Sequence, residues 1–450
     1  MTRINRVLDQ RFIFIFWLPL FASWLLMTSE GPIISAVINR LPDEVVMLAA
    51  QGIVTSLSVT IESPIINLLA TSTALPRNRK SYLLIRRFTI HWMILLTLVT
   101  ALLGFTPLFD VIVLKIMGIP EGVAYWVRIG LRIMLLWSAA IAWRRFQQGV
   151  MIRYGHTQKV AWGTAVRLTG SAGTVILLAA ATDFEGVIIG STALMTGVIA
   201  EAIYATLAVR PILREHLSSD AEDKAEDELT YSELFWFHLP LAATSLLILL
   251  VQPMVSISLS RSPTPTLALA TWAIVFQIML VMRAPAFALP EVVIALTDGK
   301  VTFSPLKRFT LSLAAVNSLI MVLLAATPLL NVYLFGIQDT TAEIATMAKL
   351  GVILFIPLPG ITVFISWIRG LLIDSRATRI VNAGMAINLV VSAAVLLLGA
   401  RYHWPGISSA AIALTLAAAA ELAFLWWRVG SVLEFPFRII DSARSTAVGA

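Results

Sequence analysis

Long apolar stretches alternate along this chain with short clusters rich in Arg, Asp, Pro and Gly. As helices, such stretches reach across ~30 Å of hydrocarbon, which takes about 20 residues each. The pattern predicts spans over 12–38, 44–75, 86–108, 122–147, 159–181 and 186–208, then over 233–260, 265–297, 307–335, 343–368, 379–400 and 406–428. One long polar segment interrupts the series, from Arg210 to Glu233. It carries Asp220, Glu222, Asp223, Lys224, Glu226, Asp227 and Glu228 without apolar periodicity, and reads as a solvated linker or as an acidic regulatory site.

The second set of spans repeats the first. A shift of 221 positions carries Pro19 to Pro240, Pro32 to Pro253, Arg40 to Arg261, Pro64 to Pro285, and Phe88-Thr89 to Phe309-Thr310. Gly149 falls on Gly370, and after one deletion Glu201 falls on Glu421. An even number of spans per half makes this a parallel repeat, related by an axis along the membrane normal. The expected architecture is therefore an all-α polytopic membrane protein of about twelve helices. Residues 1–209 form one six-helix bundle, 210–232 the linker and 233–450 the second bundle. Pro19 and Pro32, with their mates, make the first helix of each half either a bending element or a statically kinked one.

Composition agrees. Of 450 residues, 58% are hydrophobic and 13% charged, against about 25% charged in a soluble domain. The first apolar run lacks a small-residue cleavage site and is expected to stay as a helix. The net charge of +7 does not imply nucleic acid here, because the positive residues fall on one side. Arg3, Arg6, Arg11, Arg77, Arg79, Lys80, Arg144, Arg145, Arg153, Lys159, Lys300, Lys307, Arg308, Arg369, Arg376 and Arg379 lie in or beside loops on that side. The positive-inside rule then places both termini in the cytoplasm, with the chain in the plasma membrane, or the inner membrane of a bacterium. There is no cysteine, so no disulfide, thiolate metal site or cysteine nucleophile is available.

No nucleotide-binding loop, paired-His zinc helix or nucleophile elbow occurs, which argues against an ATP-driven pump or a membrane enzyme and implies no cofactor. What remains is the set of ionisable residues inside spans, each costing several kcal/mol unless paired or hydrated. Gln51, Thr55, Ser58 and Glu62 share one helical face, and the repeat mate of Glu62 is Arg283. That pair either lines a shared cleft or locks the halves together. Glu121, Tyr125, Arg128 and Arg132 share a face of the fourth span, with Arg132 ~15 Å inside it. Arg128 is shallower. Arg167 lies on a face of the fifth span, opposite Asn388 in the repeat. These arginines need anions, supplied by Glu30 and Glu201 or by a carboxylate or phosphate ligand. Glu30, just before Pro32, is a candidate for coupling to a proton or sodium ion. Glu291 after Pro290 lines the inner end of a cleft or makes a helix-end contact. Glu201 and Glu421 read as partners of arginines near the cytoplasm. Trp17, Trp126, Trp137, Trp143, Trp404 and Trp427 read mostly as interfacial anchors.

Two six-helix halves, prolines in the first and seventh helices, long second and eighth helices and a charged middle linker resemble the multidrug and toxin extrusion, oligosaccharidyl-lipid and polysaccharide exporter superfamily. Met47-Leu48-Ala49 with Gly52, Ser56 and Leu57, then Pro64, Phe235-Trp236 before Pro240-Leu241, and Pro290-Glu291 are similar to the progressive ankylosis family. The major facilitator superfamily also has parallel six-helix halves, but 75–80 lacks its glycine-and-aspartate loop pattern. The resemblance implies an alternating-access transporter, monomeric among membrane lipids, that exports a small anion such as pyrophosphate or a carboxylate. Arg128, Arg132, Arg167 and Arg283 would then bind substrate, while Glu30, Glu62 and Glu291 would couple or gate. The rivals are proton- or sodium-coupled efflux of cationic drugs, flipping of a lipid-linked precursor, and a non-transporting membrane scaffold.

Overall fold

A computed structural model describes residues 8–75, 78–216, 229–297 and 299–432. Among these residues ten helices are long and apolar enough to cross a membrane, and counting each of two bent pairs as one span brings the number to twelve. They are α1 (Gln10–Ile38), α2 (Glu44–Ala74), α3 (Arg79–Phe105), α4 (Glu121–Ile133 with Trp137–Arg153), α5 (Thr157–Ala181) and α6 (Gly186–His216). The second half follows with α7 (Tyr231–Ser260), α8 (Pro265–Leu296), α9 (Val301–Ala326), α10 (Ala342–Leu354 with Leu358–Asp374), α11 (Thr378–Arg401) and α12 (Gly406–Val429). Large apolar side chains such as Ile94, Leu98, Leu177, Val390 and Leu397 are exposed around the outside, as a lipid-facing surface requires and a water-facing one does not tolerate. The chain is a multi-pass membrane protein.

The ends of the helices have local causes. The α3 helix starts at Arg79, several residues before hydropathy alone would begin it, because Asn78 and Ser81 form a capping box. It stops at Phe105, ahead of Pro107, and a π-helical stretch over Asp110–Ile116 follows. The repeat reproduces that feature as Val332–Ile337 after α9. Bends of 43° in α4 and 46° in α10 also occupy equivalent positions. Pro357 and Pro359 account for the second bend; the first contains no proline. The α6 helix runs on to His216 and α7 begins behind a Thr230–Glu233 capping box. The predicted linker thus includes helical residues at its start, and its acidic run at 217–228 lies outside the described residues.

Twelve crossings return Gln10 and Val429 to one face, together with Arg79, Arg153, Lys159, Arg376 and Arg379. The opposite face carries Asp43, Glu44, Glu121, Asp183, Glu185 and Glu343. Within each half, α4 and α10 thread the bundle between the second, third and sixth helices. The halves meet where α1 and α2 pack on α7 and α8. At the centre of that seam Gly52 meets Ala273, its own repeat mate, so closely that an added Cβ would lie 3.3 Å from the Ala273 Cβ. The pseudo-twofold axis passes between them. Equivalent packing recurs inside the halves. Gly149 presses on Leu69 and Ser72, and Gly370 presses on Pro290 and Val293, which are their mates.

Candidate functional site

The polar face of α2 does not look across the seam. Gly52, about 100° around the helix from Gln51, takes the seam position. Gln51 instead accepts from Ser191 of α6 at 3.3 Å, and Ser58 turns to Met134 of α4. Glu62 accepts a hydrogen bond from Trp137 Nε1. A charged cluster therefore forms inside the first bundle. Arg167 of α5 clasps Glu30 of α1, with Nη2 2.6 Å from Oε2 and Nε 3.1 Å from each oxygen, and its guanidinium lies over the Trp137 ring. Both side chains are nearly enclosed, 11% and 7% exposed. Arg144 donates to Glu201 at 2.9 Å and Gln148 donates to the same oxygen at 3.0 Å. Arg145 has no ion pair among the described residues, and its Nε is buried without a partner. Three carboxylates, Glu30, Glu62 and Glu201, meet three guanidiniums, so the cluster is neutral.

The second bundle holds a leaner version. Glu421 takes Arg369, the mate of Gln148, and accepts from Asn388, the mate of Arg167, at 2.9 Å. Arg283 replaces the Glu62 carboxylate at the equivalent depth of α8. Among the described residues it meets no carboxylate; its Nε donates to Thr362 Oγ1 at 3.1 Å and its guanidinium lies over Phe287. Ile365 and Ser366 stand where the first half has Arg144 and Arg145. With Arg283 and Arg369 against Glu421, this cluster carries one uncompensated positive charge.

The structure brings Arg167, Glu30 and Glu62 together in the first bundle, but not Arg128, Arg132, Arg283 or Glu291. Glu62 and Arg283 do not pair; each points into its own bundle. Arg128 pairs with Asp110 at the opposite face and covers Phe109. Arg132 is exposed on the outside of the bundle, donating to Gly104 O at 2.9 Å beside Phe105. That carbonyl is one residue from the end of α3, so the guanidinium snorkels toward an interface. Its Cα lies deep along the helix, but its long side chain reaches back toward the end of α3. Glu291 is exposed on the last short piece of α8, ~12 Å along that helix from Arg283.

Several residues were missed or misread. Arg144, Arg145 and Arg369, counted with the positive charges in or beside loops, turn into the bundles from α4 and α10. Trp17 and Trp137 are buried hydrogen-bond donors, whereas Trp427 and Trp404 keep the exposure expected of interfacial anchors. The pairing of Glu201 and Glu421 with arginines agrees with the sequence reading.

Hydrogen bonds tie the seam at both ends. Toward the acidic face, Ser35 donates to Gln277 at 2.7 Å, Gln338 donates to Pro32 O at 3.1 Å, and Arg40 donates to Ile337 O at 2.9 Å. Toward the basic face, Trp17 Nε1 donates to Pro285 O at 3.0 Å, Gln10 donates to Pro305 O at 2.8 Å, and His238 Nε2 bonds Pro64 O at 2.8 Å.

A twelve-helix bundle of two pseudo-symmetric halves, each with a polar interior, is the fold of the MATE transporters of the MOP superfamily. An outward-facing multidrug resistance MATE family transporter of that superfamily superposes with a TM-score of 0.64 at 14% identity, covering 94% of this chain and 97% of the other. A MOP superfamily transporter from Pyrococcus furiosus, described as having reversed polarity in its binding pocket, gives 0.64 at 13% over 95% and 97%. The lipid II flippase MurJ, in an inward closed conformation, gives 0.65 at 12% over 92% and 87%. No family model matches the sequence, and no curated protein matches it.

Proposed function

We propose that this chain is a secondary transporter that moves a small anion by rocking its two halves about the α1–α2/α7–α8 seam. One observation carries the reading: the four carboxylates of the two clusters, Glu30, Glu62, Glu201 and Glu421, each accept a hydrogen bond from the chain, while Arg283 meets no carboxylate among the described residues. A cationic drug would find no carboxylate without a bonded donor in either cluster. An anion would find a guanidinium whose burial it relieves. Arg145 offers a second ligand from the other half. The fold supports alternating access, since members are described in inward-facing and outward-facing conformations, and the Pyrococcus protein supports a pocket polarity that varies within it. Glu62, whose bonded donor is Trp137 alone, is the better candidate for coupling to protons or sodium; both Glu30 oxygens are taken by Arg167. The basic face is assigned to the cytoplasm by the positive-inside rule.

Flux into proteoliposomes tests this with pyrophosphate, citrate and a cationic dye, each with proton and sodium gradients. Anion flux is expected, with Arg283→Gln losing ~1.5–3 kcal/mol of interaction, or roughly 10- to 150-fold in apparent affinity. Arg283→Lys should retain part of it. Dye flux that Arg283→Gln leaves unchanged would refute the anion assignment. A lipid-linked diphosphate satisfies the same guanidinium; scrambling of such a lipid without pyrophosphate flux would identify that substrate instead.

A further inference from the structure

The two halves close on each other at the basic face through a pair of equivalent bonds that differ in one chemical respect. Trp17 and His238 are repeat mates, as are Pro285 and Pro64. Each ring N–H reaches from the first helix of one half to the proline carbonyl on the second helix of the other. These carbonyls sit where helices break: α2 passes through a 3-10 turn at Ser63–Ile65 before resuming at Leu68, and α8 breaks between Phe287 and Leu289. A broken helix leaves carbonyls short of intrahelical donors, which in an apolar setting must be met from elsewhere. Indole serves α8 and imidazole serves α2. Only the imidazole exchanges a proton.

The surroundings of His238 suit that exchange. The side chain is fully buried. Nε2 faces Pro64 O and therefore carries hydrogen in either protonation state. Nδ1 lies 2.9 Å from Thr71 Oγ1, and Thr71 Oγ1 lies 3.2 Å from Asn67 O. With a neutral ring the Thr71 hydroxyl donates to Nδ1. With a charged ring Nδ1–H donates to Thr71, whose hydroxyl hydrogen swings to Asn67 O. Both ring nitrogens keep a partner in either state. Phe88 and Trp92 of α3 stand edge-on to the ring. The titratable groups around it offer no counter-charge: His91 of α3 is bonded to Tyr231 of α7, Glu62 of α2 is turned to Trp137, Glu233 caps the start of α7, and α11 carries charge only at its ends, Arg379 and Arg401.

We propose that His238 is a proton-binding latch of the basic-face gate: its neutral ring holds α7 on α2, and protonation releases the seam there. Magnitudes set the direction. Charging the ring strengthens its bond to Pro64 O by ~1 kcal/mol, whereas burying an unpaired ion costs several, so the charged ring gains by parting the halves and meeting water. This rests on the rocking motion of the transport reading and is independent of which substrate moves.

The absence of cysteine makes labelling direct. Spin labels at Leu83→Cys and Val301→Cys, exposed positions near the basic-face ends of α3 and α9, report the gap between halves by electron–electron distance in proteoliposomes from pH 5 to pH 8. The distance should lengthen on acidification with a midpoint in the range of an imidazole. His238→Trp, which copies the mate, and His238→Gln, a non-titrating donor, should both abolish that shift, and Thr71→Val should move the midpoint to higher pH, because only the closed state loses the partner of Nδ1. A pH-driven lengthening that survives both His238 variants overturns the latch. Distances that respond to substrate but never to pH also overturn it while leaving rocking intact, and distances that never change defeat the rocking motion as well.

Discussion

Replacing Arg167 with Met removes the guanidinium that meets both oxygens of Glu30, the only donor to that carboxylate among the described residues. Glu30 is only 7% exposed. Breaking a buried pair by deleting one partner costs ~3–5 kcal/mol, because the survivor is left desolvated and unmatched. At about 2–4 °C per kcal/mol for a cooperative unit of roughly 200 residues, this lowers the melting midpoint on the order of 10 °C. Glu30→Leu in the Arg167→Met background removes the orphaned charge and should recover most of the loss. The assay is thermal unfolding in detergent micelles, followed by tryptophan fluorescence and by monodispersity on size exclusion, for wild type, both single variants and the double variant. A double variant as unstable as Arg167→Met, or single variants indistinguishable from wild type, would refute the claim that these groups are held by each other. The recovered double variant also isolates the transport role of the pair, since a protein that folds but does not transport has lost chemistry and not structure.

Other expectations follow from the same geometry. Arg128→Ala should change stability by no more than about 1 kcal/mol, its pair with Asp110 being partly exposed, and flux should be unaffected; Arg132→Ala should likewise retain flux because the side chain faces outward. Gly149→Ala should cost ~1–3 kcal/mol, as its Cβ would fall 2.6 Å from Leu69 O and Ser72 Cβ, while Gly122→Ala, with nothing within 4 Å, should be neutral or slightly stabilising in thermal melts. Trp17→Phe keeps the ring but leaves Pro285 O unmet, which should lower the barrier to opening the basic face. The loss of ~1–3 kcal/mol can be read as a larger open fraction in the spin-label distances.

The sequence by itself determined the membrane class, the all-helical fold and the duplication. Those follow from hydropathy, helix length and a shift of 221 positions, all local or self-referential quantities that need no knowledge of packing. It also pointed to Glu201 and Glu421 as structural partners of arginines. Only the tertiary structure decided where each polar side chain turns. Gln51 and Gly52 are adjacent, yet one faces the bundle interior and the other the axis, because helical periodicity groups residues into faces without saying which face meets which neighbour. Arg132 and Arg144 show the two directions of error. A long guanidinium stem placed one outside the site its Cα suggested, and the Glu201 carboxylate drew the other into a core, although it had counted only among the positive charges in or beside loops. The bonds across the seam, Trp17 to Pro285 and His238 to Pro64, join residues 268 and 174 positions apart. They exist because two broken helices expose carbonyls to the opposite half, a fact of assembly that no stretch of the chain contains.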